Sequence, residues 1–229
     1  PPVLGYRIQN TKIQAQIDQF EEKNRKEERI RLEEILYDHA GGVTKTNLRS
    51  RQNALLDFIK LEHDERRDTY GINMAHSFLR NLDMSRSRLQ DKGIEGILKS
   101  ASFLRADLEN AKFFDAHLEE ALFLETNLKG GWFRNAHLEG AHFRGAFLGD
   151  VDFSGADLTG THFDMAIVDS PDWIERLHKI QPPVKGFDFS LWSITEVKFN
   201  DGNSVFLITA PKDSKEHNLT MINQKKLMR

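Results

Sequence analysis

From residue 101 the chain beats in fives. In "AHLEGAHFRGAFLGDVDFSGADLTGTHF", residues 136–163, a small residue opens each group and Leu and Phe alternate two places later. Thirteen such pentapeptides run unbroken from Ala101 to Met165, and Ala166 to Ser170 make a looser fourteenth. The third positions are Phe103, Leu108, Phe113, Leu118, Phe123, Leu128, Phe133, Leu138, Phe143, Leu148, Phe153, Leu158 and Phe163; the first position is Ala in nine of the thirteen. Helices repeat every 3.6 residues and strands every two, so a period of five belongs to neither. An internal repeat of this regularity sets the architecture before any other feature is considered.

Residues two apart on an extended chain point the same way, so the small first residue and the bulky third both face inward. The other positions are polar and turn-prone, with "RG", "SG", "EG", "TG" and "EN" recurring. Each pentapeptide therefore reads as a short extended segment followed by a tight turn. A chain that turns this regularly and stacks on itself is a solenoid of the β class.

"ADLEN", "AHLEE", "AHLEG" and "ADLTG" resemble the A(D/N)LXX consensus of the pentapeptide-repeat proteins, and the resemblance covers residues 101–170. It implies a mainly β fold, a right-handed quadrilateral β-helix with four pentapeptides per square coil, and it implies no activity. With 20 residues per coil, positions 20 apart stack about 4.8 Å from each other. Two opposite faces then carry columns of Phe and the other two carry columns of Leu.

The flanks read differently. Residues 1–42 form a long polar helix with a thin seam of Ile8, Ile13, Ile17 and Phe20, a charged "EEKNRKEER" run, and a stop at Gly41-Gly42. Residues 43–95 read as a helical region, with one helix near 46–67, another near 72–82, and a degenerate first coil from about residue 80 in "LDMSR" and "SRLQD". The β-helix proper is placed at 96–170, since "GILKS" keeps the register. Residues 171–229 read as an inserted helix and Pro-Pro loop, then an atypical final coil in "FDFSL", "WSITE" and "VKFND", then a capping strand at 204–209 and a mobile tail. The open ends of such a stack need caps.

Stacking also sorts the surface. One face gathers Leu104, Leu122 and Leu124 and the opposite one Phe114 and Trp132, clusters that call for a cover; the N-terminal helices are expected to lie across one of them. A Leu face carries Glu119, Glu120 and Glu139, with His117 and His137 one coil apart, while His142 and His162 pair around the corner. These eight non-histidine residues are the candidate interaction surface. No metal site is expected from the histidines, because no carboxylate is fixed at a common point with them and the two pairs diverge.

No catalytic constellation is present. The glycines sit at repeat turns and not at a strand-to-helix phosphate loop, there is no Cys nucleophile, and no G-x-S-x-G elbow appears. The expectation is a non-enzyme without cofactor that scaffolds protein–protein interactions, with an unknown protein partner and homo-oligomerisation through the N-terminal helix. Direct nucleic-acid binding is not expected, because the first 100 residues balance 18 basic against 16 acidic side chains. Residues 101–165 hold eleven acidic and five basic residues, net −6. That leans toward the relatives that mimic DNA and inhibit a type II topoisomerase, although Lys112, Lys129, Arg134 and Arg144 interrupt the surface. The N-terminal helix loosely resembles the juxtamembrane helix of bacterial membrane-anchored proteins that end in pentapeptide repeats. That reading makes the chain the cytosolic part of a membrane protein, attached through a segment preceding Pro1. The absence of cysteine suits a reducing, cytoplasmic setting.

Overall fold

A computed structural model describes residues 2–37, 45–65, 72–86, 89, 98–199 and 202–210. The Gly41-Gly42 stop, most of "SRLQD" and the tail at 211–229 lie outside those residues. In chain order the regular elements are α1 (Pro2–Tyr37), α2 (Lys45–Glu65), β1 (Ile167–Val168), α3 (Trp173–Lys179), β2 (Ser193–Lys198) and β3 (Ser204–Thr209). Between α2 and β1 the backbone coils on itself without forming named strands.

That coil is held by single-residue parallel bridges 20 residues apart. They run Ser102–Leu122–His142–His162 on one face, Asp107–Asn127–Phe147–Ile167 on the second, Lys112–Trp132–Asp152 on the third, and His117–His137–Asp157 on the fourth. The side of each coil is too short for a longer strand because every fifth residue turns the corner. Fifth positions from Arg105 to Gly160 hold positive φ near 55–70°, and the first-position amide donates back three residues, as from Ala106 to the Phe103 carbonyl at 2.9 Å. That is a type II turn, whose third residue must be left-handed.

The remaining amides explain the consensus. The third- and fifth-position amides donate to the following coil, as Phe103 does to Leu122 and Arg105 to Leu124, and the second-position amide donates to the preceding coil, as Leu122 does to Ala101. Only the fourth-position amide is left over. Where the second residue is Asp or Asn its side chain accepts that amide, as Asp152 does from Ser154 at 2.8 Å and Asp157 from Thr159 at 3.1 Å. This is an Asx-turn repeated along the stack.

Inside, the thirteen third-position side chains are at most 1% exposed. Phe103, Phe123, Phe143 and Phe163 stack at 4.9–5.0 Å with rings within 6° of parallel. Phe113, Phe133 and Phe153 form the facing column, and the two columns meet edge to face at 5.7–6.2 Å. Both arrangements suit the ring quadrupole.

The stack starts earlier than the expected boundary at residue 96, and earlier than a degenerate start near 80. Asn73, Phe78 and Asp83 bridge Ser102, Asp107 and Lys112, so residues 72–86 form three sides of a first coil and not a helix over 72–82. Ile72, Met74, Leu79, Leu82 and Met84 are its buried inward residues. Their spacings of three and seven also fit a helix, but Asn73 and Asp83 occupy the Asp/Asn position and His76 and Asn81 the positive-φ corner. The offset of 29 in these bridges places nine extra residues between Met84 and Leu98.

Both ends are closed. At the N-terminal end Leu32 and Leu36 of α1 and Leu55, Phe58 and Ile59 of α2 share a core with the first coil. The buried Arg51 donates to the Leu36 and Phe78 carbonyls, and Gln52 exchanges two hydrogen bonds with the Asp83 backbone. At the other end Trp173 of α3 packs on Phe153 and Phe163, and Phe187 and Trp192 meet Phe163 edge to face. After α3 the chain rejoins the fourth face, where Lys185 bridges Asp157. The expected atypical last coil does not form. Residues 193–198 are β2, antiparallel to β3, which sits between β2 and β1. Ile194 takes part in that sheet and not in a corner-and-side repeat, because "SVFLIT" supplies a full-length hydrogen-bonding partner.

Candidate functional site

Second and fourth positions flank each inward residue, so they share a face and both project outward. The candidate surface residues therefore follow from repeat position alone. Leu104, Leu122 and Leu124 are half-buried on the first face. Among the described residues, the hydrogen bonds from the N-terminal helices to the stack reach Phe78 and Asp83 of the first coil and not these leucines, so α1 and α2 close the end of the stack. The end demanded a cover more than the face did, because it exposes both unpaired backbone and the Phe and Leu columns.

On the third face the Phe114 and Trp132 rings touch at 5.9 Å, and Trp132 is 44% exposed. Around the corner on the second face Phe147 is 46% exposed. Sequence reasoning missed Phe147, although its second position in "AFLGD" marks it as outward. Leu191, 47% exposed beside the cap, was missed as well, and nothing in the repeat signals it.

On the fourth face "HLE" occurs twice, at 117–119 and 137–139. The His117 and His137 rings stack at 4.7 Å, 5° from parallel. The His117 Nδ1 lies 3.1 Å from Glu119 Oε1 and the His137 Nδ1 3.5 Å from Glu139 Oε1. Glu119 thus stands beside the histidine pair, on the Leu face where the repeat pattern puts both. One atom from each of His117, Glu119 and His137 falls within 4.8 Å of the others. Burial raises the pKa of the Glu119 carboxyl, but its own backbone N–H, the His117 hydrogen bond and the charges of His117 and Lys99 outweigh this and hold it below the usual range. Glu120 does not join this face. It sits at the corner with φ 60°, exposed, and accepts from the Ser100 hydroxyl at 3.0 Å.

The acidic surface is partly neutralised by stacking. Arg105 pairs with Glu125 one coil on at 2.7 Å, Arg144 with Asp164 at 3.8 Å, and Arg80 with both Asp107 and Glu109. Beside α3 a half-open cleft of about 180 Å³ is lined by Asp150, Val151, Trp173, Arg176, Leu177 and Ile180; Arg176 is paired there with Asp169 and Asp172.

Residues 108–157 match the family model for pentapeptide repeats, nine copies. No curated protein matches the chain. Among solved structures, the pentapeptide repeat protein Rfr23 from the cyanobacterium Cyanothece 51142 is 26% identical over 43% of this chain and 57% of its own, with a TM-score of 0.35. QnrB1, a plasmid-mediated fluoroquinolone resistance protein, is 23% identical over 41% of this chain and 42% of its own, with a TM-score of 0.27. A pentapeptide repeat protein from the Arabidopsis thaliana thylakoid lumen is 20% identical over 68% of this chain and 88% of its own, with a TM-score of 0.19. The chain thus spans 57% and 42% of the first two relatives' lengths. Residues 108–157 are thus a pentapeptide-repeat segment, and the proteins of solved structure that the chain resembles include pentapeptide repeat proteins.

Proposed function

We propose that the stack is a right-handed quadrilateral β-helix that works as a non-catalytic scaffold, presenting a flat, stiff face to a protein partner. The observation that carries this reading is the contiguous Phe114–Trp132 pair, outward on a face whose backbone is pinned by ladder bonds on both sides. A large aromatic left 44% exposed on a rigid surface is the usual anchor of a protein interface. Helix α1 supplies a second attachment. Its exposed Phe20 and Ile30 leave apolar surface along a 36-residue helix whose Leu32 and Leu36 pack into the core shared with the stack. A second copy of the chain or a membrane-linked partner would use it. Among the described residues no helix is long and apolar enough to cross a membrane.

The test is capture of binding proteins from native lysate by the full chain and by its Trp132→Glu form. A protein held by the first and released by the second, with circular dichroism unchanged, supports the scaffold. Equal recovery by both forms removes the Phe114–Trp132 face from the proposal. Inhibition of a type II topoisomerase by the purified chain would replace the scaffold reading with DNA mimicry, which the Arg–carboxylate pairs along the faces weigh against.

A further inference from the structure

The fourth face carries an arrangement that interaction scaffolding does not require. Its two "HLE" repeats put two imidazoles and two carboxylates on one flat patch, one coil apart. Glu119 Oε2 and Glu139 Oε2 are both buried with no hydrogen-bond partner. Buried carboxylate oxygens are rarely left so, because each carries the full cost of losing water. Two orphaned oxygens beside two parallel imidazoles indicate a missing positive partner.

We propose that His117, Glu119 and His137 bind a divalent cation of the zinc class, with Glu139 orienting His137. The His117–Glu119 separation of 3.1 Å is close to the roughly 3.3 Å between two ligands held about 2.0–2.1 Å from one tetrahedral ion. His137 must close in, since the three ligand atoms span 4.8 Å. Its side chain is 43% exposed and that of His117 28%, so side-chain rotation serves and the ladder stays intact. Imidazole with carboxylate suits zinc, cobalt, nickel or copper and not magnesium. Glu139, 3.5 Å from the His137 ring, is placed as the outer carboxylate that fixes a ligating imidazole. Solvent fills the remaining coordination on this open side.

The molecule contains its own control. His142 and His162 stack in the same way, at 4.5 Å and 11°, but the residues two places after them are Arg144 and Asp164, which pair with each other at 3.8 Å, so the carboxylate there already faces a guanidinium. The experiment is titration of the full chain with zinc at neutral pH by calorimetry, repeated with cobalt by absorption and with magnesium. One zinc per chain is expected, with tetrahedral cobalt bands and no magnesium binding. The joint His117→Asn, His137→Asn variant and the Glu119→Gln variant should each weaken zinc by about tenfold or more, and the joint His142→Asn, His162→Asn variant should bind as the native chain does. Asn is a consensus residue at the second position, so the stack survives these changes, as circular dichroism would verify. The proposal is overturned if the native chain shows no saturable zinc binding. It is equally overturned if binding survives the loss of His117 and His137, falls with His142 and His162, or is matched by magnesium. None of these outcomes depends on the scaffold reading.

Discussion

Individual positions in this repeat are constrained by backbone needs as much as by packing. Gly186, where the chain re-enters the stack after α3, has φ +66°, and a Cβ there would lie 1.9 Å from Thr159 Oγ1 and 2.6 Å from Thr159 Cα. Neither the left-handed backbone nor the contact can relax cheaply. Gly186→Ala should therefore cost about 2–3 kcal/mol, read as a lower denaturant midpoint with unchanged slope. Asp152 faces outward, yet it caps the Ser154 amide, the one backbone donor per pentapeptide that the ladder leaves over. Asp152→Ala should cost about 1 kcal/mol and Asp152→Asn much less; equal losses for the two would show that charge, not the cap, matters. The consensus Asp or Asn was legible as a pattern from the start. Its reason was not, because it lies in which amide the coil leaves unsatisfied.

The elements divide into those that repeat and those that stop the repeat, and they were unequally readable. Phe and Leu at every fifth position from 103 to 163 declared the columns directly, since periodicity and burial coincide there. The first coil was disguised because Ile72 and Leu82 replace the small first residue, and nine extra residues after Met84 break the beat. The end of the chain misled in the opposite way. Phe189, Ile194 and Phe199 are spaced by five, but a hairpin partner for residues 193–198 lies only a few residues on, and pairing with it satisfies more backbone than one more coil side would. On the surface, repeat position told which residues point outward, but the turning of Glu119 and Glu139 back onto the histidine two residues before each is a side-chain rotamer that the pattern does not give. Among the stopping elements, Arg51 joins three at once: α2 carries it, and it donates to carbonyls at the end of α1 and in the first coil. Arg51→Ala leaves those buried acceptors short of a charged donor, and a loss of about 2–3 kcal/mol is expected. Hydrogen exchange should show α2 amides losing protection well before those of residues 121–160. Uniform loss across both would mean that the helices and the stack unfold as one unit.

Over the whole molecule, acid should act through carboxylates that the fold holds ionised. Burial raises the pKa of Asp157, but the Thr159 hydroxyl and amide, with the charges of Lys185 and His137, outweigh it and leave it below the usual value; Glu119 is lowered as well. A carboxyl whose folded pKa is depressed adds stability above its unfolded pKa and loses it as pH falls toward the folded one. The melting temperature should therefore be flat near neutrality and drop below about pH 4. Thr159→Val should shrink that drop while lowering stability at pH 7, and an unchanged acid slope would remove Asp157 from the account. Closure of the stack by α1 and α2 at one end and by α3 and the hairpin at the other has a different kind of consequence. Because every internal coil is 20 residues and each presents the same junction to its neighbours, length is a counted quantity here. Removing residues 121–140 would join Glu120 to Ala141 in register and shorten the molecule by one step of about 4.8 Å, with both stops untouched. A partner that measures distance along a face would meet the lost increment as a change of gauge, and drift in the repeat number would retune its fit without disturbing either end.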